Sequence, residues 1–321
     1  MPPEISVVVP LYNEAANVEA LHAELTDVLS GLGRPYELIL VDDGSTDGTF
    51  ERLAALHGRD PHVVVIRFRR NFGQTAAFAA GFDRALGSVI VTLDGDLQND
   101  PRDLPALVAR LEEGFDVVSG WRRERKDRWL TRRVPSSCAN WLISIVTGVK
   151  LHDYGCSLKA YRADAVKPLQ LYGELHRFIP ALASARGALI AEMTVNHRPR
   201  RAGASKYGLS RTGRVVLDLL LVKFLLDYAT RPLRVFGQRG LILGAAGIAI
   251  TAYALGRGLL GGEPAVSLTL LAPGILLIML GGLLVALGLV AELQIRSAGP
   301  PSGNPQYAVR EMLENQAEPG S

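Results

Sequence analysis

The sequence predicts an α/β domain, a parallel sheet with helices on both faces, followed by two membrane-spanning helices. Three observations predict it. Short β-branched runs alternate with stretches of helical spacing over residues 1–120, the pattern of βαβ units. Clusters of Asp, Asn and Gly close several of those runs, where an open α/β sheet holds its ligands. Two long uncharged runs fill the last third of the chain.

The elements follow in order. Ile5–Pro10 is an apolar run stopped by proline, so a buried parallel strand. Leu11-Tyr12-Asn13-Glu14 is a loop. Val18, Leu21, Leu25, Val28 and Leu29 repeat at helical spacing, and Gly31 and Gly33 end that helix. Tyr36–Val41 is a second strand, closed by Asp42-Asp43-Gly44-Ser45. Thr46 or Asp47 caps a helix that runs to about His57. Val63–Phe68 is a third strand, and a helix covers Thr75 to Leu86. Val89–Leu93 is a fourth strand, ending in Asp94-Gly95-Asp96-Leu97-Gln98. Pro101 opens another helix, and Asp116–Gly120 is a fifth strand.

Composition narrows the class. A net charge of +3 in 321 residues gives no bulk attraction to nucleic acid. Cys138 and Cys156 form no metal-type pair, and so few cysteines fit a reducing compartment. Met1-Pro2-Pro3-Glu4 lacks a basic region and runs straight into a strand, so no signal peptide is expected. The Gly-x-Gly-x-x-Gly fingerprint of a dinucleotide fold is absent after the first strand.

The chemistry centres on Asp94 and Asp96. Gly95 between them permits a tight turn, so both carboxylates reach one point. Two hard oxygen donors suit Mg²⁺ or Mn²⁺, with the other positions left to water and phosphate oxygens. A strand-end turn with solvated carboxylates is the alternative. Tyr12-Asn13-Glu14 and Asp42-Asp43 close neighbouring strands, and strand carboxyl ends share one edge of a parallel sheet, so the three clusters face one crevice.

Val-Val-Pro-Leu-Tyr-Asn-Glu, Val-Asp-Asp-Gly-Ser-Thr-Asp and Asp-Gly-Asp-Leu-Gln, in that order, resemble family 2 glycosyltransferases of the GT-A fold. The resemblance implies that Pro10, Tyr12 and Glu14 line the nucleotide pocket. It implies that Asp42 binds the base, Asp94 the nucleotide or sugar, and Asp96 the metal on the diphosphate, with Gln98 beside them. Asn71 and Gln74 precede a helix whose N-terminus faces the same pocket.

Beyond that stretch, Arg122, Arg123, Arg125, Lys126, Arg128, Arg132 and Arg133 make a basic run with Trp129 inside it and Trp141–Val146 after it. A solvated face is one reading. An anionic membrane surface is another. Single-stranded nucleic acid would also suit the charge, but no nucleic-acid motif accompanies it. His152-Asp153-Tyr154-Gly155-Cys156-Ser157-Leu158-Lys159-Ala160-Tyr161-Arg162 resembles the bacterial polyprenyl-phosphate glycosyltransferases. It is most similar to the undecaprenyl-phosphate 4-deoxy-4-formamido-L-arabinose transferase type, with dolichol-phosphate mannose synthase more distant. The resemblance implies a catalytic role for Asp153, as base, as acceptor-orienting group or as counter-charge to the arginines. Processive synthases carry Gln-x-x-Arg-Trp, which is missing here. Leu189–His197 reads as a strand. In the loop that follows, Arg200 and Lys206 match the family's Arg-x-x-Gly-x-Ser-Lys pattern and, with Arg122, would hold phosphates.

Residues 213–228 form an apolar stretch broken by Asp218, Lys223 and Asp227, suited to lie along an interface. Gly240–Leu255 and Val266–Ala291 are uncharged. Pro273 is expected to kink the second, and Gly281-Gly282 to permit close helix contact. Arg231, Arg234, Arg239 and Arg296 flank the pair, which by the positive-inside rule puts the catalytic domain and both termini in the cytoplasm. The tail, 300–321, is expected to be loosely ordered.

The expected organisation is a catalytic domain (1–207), an interfacial helix (208–236), two spans (237–257 and 266–291) and a tail (293–321). The expected enzyme sits in the inner membrane and moves a sugar from a nucleotide sugar, with UDP favoured by resemblance, to polyprenyl phosphate with inversion. The resemblance also implies a homo-oligomer, a tetramer. A transferase to diacylglycerol or another lipid alcohol is one rival. A non-catalytic nucleotide-sugar-binding scaffold is the other.

Overall fold

The structure, a computed structural model, describes residues 2–123, 134–199, 219, 221–224, 232–260, 264–297 and 307–314. Two compact units emerge: Met1–Val222 with Pro305–Ser321, and Lys223–Asn304. The expected helix over 213–228 falls largely outside the described residues, as does the basic run beyond Arg123.

The first unit is built on an eight-stranded sheet. Its strands are β1 (Ile5–Leu11), β2 (Tyr36–Asp42), β3 (Val63–Phe68), β4 (Val89–Thr92), β5 (Val117–Trp121), β6 (Lys159–Arg162), β7 (Ile190–Thr194) and β8 (Val309–Leu313). Their spatial order is β7-β5-β6-β4-β1-β2-β3-β8. β1 to β4 are mutually parallel, as the alternating pattern requires. Between them run α1 (Val18–Gly31), α2 (Thr49–His57) and α3 (Gln74–Arg84), and α4 (Leu104–Glu112) follows β4. On one face, Val7, Val9, Leu38, Leu40, Val63 and Val65 pack against Leu21, Leu25, Leu53, Leu56, Leu107 and Leu111 of α1, α2 and α4. α3 packs on β1 and β2, burying Ala77, Phe78 and Phe82. Burying these aliphatic side chains is what drives the sheet and its helices together.

The sheet is mixed, not parallel throughout. β6 is inserted antiparallel between β4 and β5, with Lys159 opposite both Thr92 and Ser119. The inversion matters for position. The start of an antiparallel strand lies at the end of its parallel neighbours, so the turn 153–158 arrives at the edge where β4 and β5 finish. β7 pairs parallel to β5 and delivers Asn196–Arg198 to that edge as well. The chain order reverses on the two sides of β1, which has β2 on one side and β4 on the other, so the switch point lies between β1 and β4.

The tail departs from expectation. Val309–Leu313 forms β8, antiparallel on β3, with Ile66 opposite Met312 and Phe68 opposite Val309. Tyr307 stacks on Phe68 with ring centroids 5.1 Å apart, and its hydroxyl donates to Asp83 at 2.8 Å. Arg84 pairs with Glu314 at 2.8 Å. A Pro- and Gly-rich composition hid this strand, because its order comes from the open edge of β3 and not from its own sequence.

After β5 come α5 (Val134–Thr147), α6 (Ala163–Val166) and α7 (Ile179–Ser184). The second unit holds α8 (Pro232–Leu260) and α9 (Pro264–Ser297). At 29 and 34 residues they rise about 43 and 51 Å, beyond the roughly 30 Å of a hydrocarbon core. Both are long and apolar enough to cross a membrane. They pack as an antiparallel hairpin through glycine: a Cβ on Gly240 would sit 2.6 Å from the Gly281 carbonyl oxygen, and one on Gly247 2.7 Å from that of Gly274. Gly281 makes the expected close contact, whereas a Cβ on Gly282 would meet open space. Leu241, Ile242, Leu276, Met279 and Leu283 are exposed, a surface suited to lipid and not to a water-soluble core.

Candidate active site at the carboxyl edge of the sheet

The loop after β1 and the loop after β2 brace each other. Backbone N–H of Asn13 donates to Ser45 Oγ at 2.9 Å, and Thr46 N–H returns a bond to Asn13 Oδ1 at 2.9 Å. Glu14 N–H donates to Thr49 Oγ1 at 3.0 Å, and the Glu14 carboxylate accepts from Asn17 Nδ2 at 2.6 Å. Asn13 takes a left-handed backbone with φ 53°, which Asn tolerates better than most residues. Pro10 ends in the same wall, opposite Val41 of β2.

Asp42 is fully buried. Its Oδ1 accepts from Ser45 N–H at 3.0 Å, while Oδ2 has no hydrogen-bond donor, the Arg67 Nε standing 3.8 Å away. Burial raises its pKa above the usual carboxylate range, against the Ser45 bonds. A buried acceptor without a donor is costly, and a donor on a ligand would relieve it. Asp43 does different work: it accepts from Phe72 N–H at 2.6 Å and Gly73 N–H at 2.9 Å, fixing the loop that opens α3. Burial pushes its pKa up to about 6. Between them and that loop, Gly44 (φ 71°) is obligatory, because a Cβ there would run into the Arg70 backbone.

Gln74, first residue of α3, donates from Nε2 to Asp94 Oδ1 at 2.6 Å, so the expected approach of this helix to the pocket is present. Asp94 has its pKa raised, by burial first and by the charge of Asp96 second. Two hard carboxylates that repel each other at a strand end form a fitting seat for a divalent cation. Among the described residues no cluster of three or more His, Cys, Asp or Glu could hold a metal, so the rest of its shell would have to come from water and substrate oxygens. The turn expected at Gly95 is present, over Gly95 and Asp96, and the left-handed residue follows it. Leu97, buried, carries φ 60°, while a Cβ on Gly95 would crowd Leu11 at 3.0 Å and the Pro10 carbonyl oxygen at 3.3 Å. A left-handed leucine costs about 1–2 kcal/mol, strain of the kind that gathers at functional sites.

Gln98 is tied to the end of β7: its carbonyl accepts from Arg198 N–H at 2.8 Å, and Asn99 bridges to His197. Arg198 is held by Asp100 at 2.5 Å and Glu24 at 2.5 Å. This anchors the base of the loop carrying Arg200 and Lys206, both of which lie outside the described residues.

Arg122 and Asp153 form a buried bidentate pair. Nε donates to Oδ2 at 2.7 Å and Nη2 to Oδ1 at 3.0 Å, while Gly155 N–H adds a bond to Oδ1 at 3.1 Å. The structure adds two residues to which sequence reasoning gave no role. Glu192 on β7 accepts the backbone N–H groups of His152 at 2.8 Å and Asp153 at 3.1 Å, and pairs with the His152 ring. Lys159 is buried and donates to the carbonyl oxygens of Tyr154 and Cys156. Its place in the quoted motif, between Leu158 and Ala160, was the available signal, since a buried lysine is unusual.

Comparison with known proteins adds three findings. The family described as "Glycosyl transferase family 2" matches residues 6–169. The chain is 44% identical over 319 residues to the dodecaprenyl-phosphate galacturonate synthase of Rhizobium johnstonii, covering 98% of this chain and 94% of the relative. It is 39% identical over 319 residues to the undecaprenyl-phosphate 4-deoxy-4-formamido-L-arabinose transferase of Shewanella sediminis, covering 99% and 95%. Among solved structures, glucosyl-3-phosphoglycerate synthase of Mycobacterium tuberculosis, in complex with Mn²⁺, UDP and glucosyl-3-phosphoglycerate, superposes with a TM-score of 0.54 at 21% identity, over 70% of this chain and 80% of that one.

Proposed function

The chain belongs to glycosyltransferase family 2, and on that premise we propose that it transfers a sugar from a nucleotide sugar to a polyprenyl phosphate at a membrane. The observation that carries this reading is the near-full-length similarity to two enzymes whose names share a polyprenyl phosphate and differ in the sugar. The sheet edge supports it: an acidic nucleotide wall, a carboxylate pair and a buried arginine converge at the switch point.

Asp42 takes a donor from the base or ribose, and Tyr12, Glu14 and Pro10 wall the pocket. UDP is the nucleotide proposed. Gln74 orients Asp94 against the donor, and Gln98 fixes the strand end to β7. A divalent cation, Mg²⁺ or Mn²⁺, held by Asp96 and Asp94, would offset charge building on the leaving diphosphate. Arg122, Arg200 and Lys206 hold the phosphates. An acceptor phosphate oxygen forms its bond to the anomeric carbon from the face opposite the diphosphate. The old bond breaks, and its electron pair leaves with the nucleoside diphosphate, so the configuration inverts. A phosphate monoester has a second pKa near 6, so at neutral pH the acceptor is largely dianionic and requires no strong base. Asp153, with both oxygens engaged by Arg122 and Gly155, fits aiming that arginine better than removing a proton.

Membrane placement belongs to the same proposal. α8 and α9 span, and α5 presents Trp141, two-thirds exposed, with Leu142 and Ile145 to the interface. β8 in the sheet of the N-terminal unit supports a hairpin whose two ends share one side, and the arginine flanks favour the cytoplasm for that side. A homo-oligomer is proposed as well, read out by the mass of the purified complex. The test of function is product formation by the full chain from a panel of labelled UDP- and GDP-sugars with undecaprenyl phosphate. Transfer to diacylglycerol but not to polyprenyl phosphate would refute the assignment.

A further inference from the structure

We propose that Lys159 is a positioning residue for transfer: it holds the turn that presents Asp153, and through Asp153 it aims the Arg122 guanidinium. The inference rests on the reaction assigned above.

The placement comes from sheet register. Lys159 opens β6 and lies opposite Thr92, two residues before Asp94, and opposite Ser119, three residues before Arg122. It therefore stands beneath the crevice between the carboxylate pair and the arginine. The residue is 2% exposed. Among the described residues its partners are carbonyl oxygens, those of Tyr154 at 3.4 Å and of Cys156, not a carboxylate. Burial pushes the ammonium's pKa down, and Cys156, Asp153 and Asp94 oppose that.

Stability alone does not account for this arrangement. Burying an ammonium costs several kcal/mol, and methionine would fill the same space without that cost. What the ammonium supplies is a second hold on one turn. Glu192 grips its backbone N–H groups at His152 and Asp153, and Lys159 grips its carbonyls at Tyr154 and Cys156. Thr92 Oγ1 adds a bond to the Ser157 carbonyl at 2.7 Å. Asp153 is thus fixed on both sides, and its bidentate grip on Arg122 inherits that precision. Misplacing a phosphate-binding group by about 1 Å is enough to slow transfer heavily.

The test uses the full chain in lipid nanodiscs, comparing wild type with Lys159→Met, Lys159→Gln and Lys159→Arg. Rates are counted per site that binds UDP with Mn²⁺, so loss of folded protein does not enter. Lys159→Met should bind UDP within about twofold of wild type, yet lose transfer by about 10²-fold with a raised KM for polyprenyl phosphate. Lys159→Gln, which keeps a donor, should lose less, and Lys159→Arg should recover most of the rate. A structural role would change the number of UDP-binding sites but neither kcat nor KM per site. If kcat and acceptor KM per site stay within about twofold of wild type in whichever of the Met and Gln variants fold, the proposal is overturned. A wild type that makes no polyprenyl-phosphate sugar sinks the assigned reaction instead, and the inference with it.

Discussion

Replacing Asp153 by Asn separates two roles for this carboxylate. It accepts from Arg122 at 2.7, 3.0 and 3.4 Å and from Gly155 at 3.1 Å, and the paired side chains are 4% and 10% exposed. Asparagine keeps one acceptor oxygen and points an N–H₂ donor at a guanidinium that has only donors. Removing one charge of a buried pair costs about 3–5 kcal/mol. For a domain of some 200 residues, with about 2–4 °C per kcal/mol, the melting midpoint should fall by ~6–20 °C. The double variant Arg122→Met with Asp153→Leu should recover most of that stability, because a well-packed apolar pair replaces a buried ionic one at little cost. Transfer should stay strongly reduced in both, since the Arg122 guanidinium is misaimed in the single variant and absent from the double one. The assay is scanning fluorimetry alongside the pH profile of kcat/KM. The acid limb should sit near the second pKa of the acceptor phosphate, about 6, in the wild type and in any residual Asp153→Asn activity. An Asp153→Asn variant that melts within about 1 °C of wild type and has lost that limb would identify Asp153 as the base and refute the positioning argument.

Other expectations follow from the same geometry. Asp96→Asn should weaken Mn²⁺-dependent UDP binding by at least ~10-fold and leave the remainder insensitive to EDTA; unchanged calorimetric affinity would remove Asp96 from the metal site. Asp43, with a folded pKa of about 6 against the usual carboxylate value, contributes stability that is full below pH ~4 and is lost as pH rises through 6, a difference of at most ~3 kcal/mol. Asp43→Asn should flatten the fall in denaturant midpoint over that window, and an unaltered slope would show that the carboxyl titrates normally. UDP–Mn²⁺ affinity should decline with falling pH above the ordinary carboxylate range, since the raised pKa of Asp94 lets a proton compete with the cation. Tyr307→Ala, which removes the stack on Phe68 and the bond to Asp83, should cost about 1–2 kcal/mol in the catalytic unit; a loss below ~0.3 kcal/mol would mean that β8 docks only weakly.

Much of this architecture was readable in the residues. Val63–Phe68 is predicted and observed with the same limits, because an apolar β-branched run bounded by polar residues has few alternatives. The polar clusters at Glu14, Asp42 and Asp94 meet at one edge because parallel strands end together. β6 was not legible. Its four residues carry no periodicity long enough to reveal direction, and its pairing is set by β4 and β5, which lie far away in sequence. Asp47, one of the two expected caps, accepts from Thr49 N–H at 3.1 Å, but Gly48 with φ 85° stands between them, so the helix begins at Thr49. Glu192 and Lys159 escaped for a different reason. Their work is done on backbone groups of a remote turn, and side chains that brace a turn leave no spacing signature.

Among the described strands, the one that closes the catalytic sheet is the last to be synthesised. While the ribosome makes the two apolar helices, β3 has an unpaired outer edge, and β8 emerges roughly 90 residues after the rest of the unit, or ~5–20 s later at ordinary translation rates. An uncovered edge strand invites pairing with any neighbouring strand. On the topology proposed above, the finished fold records successful membrane insertion: the sheet gains its eighth strand only once both helices have been threaded so that the chain returns to the side it left. A chain that ends early, or inserts a single helix, is marked by an open edge on its soluble unit as well as by a fault in the bilayer.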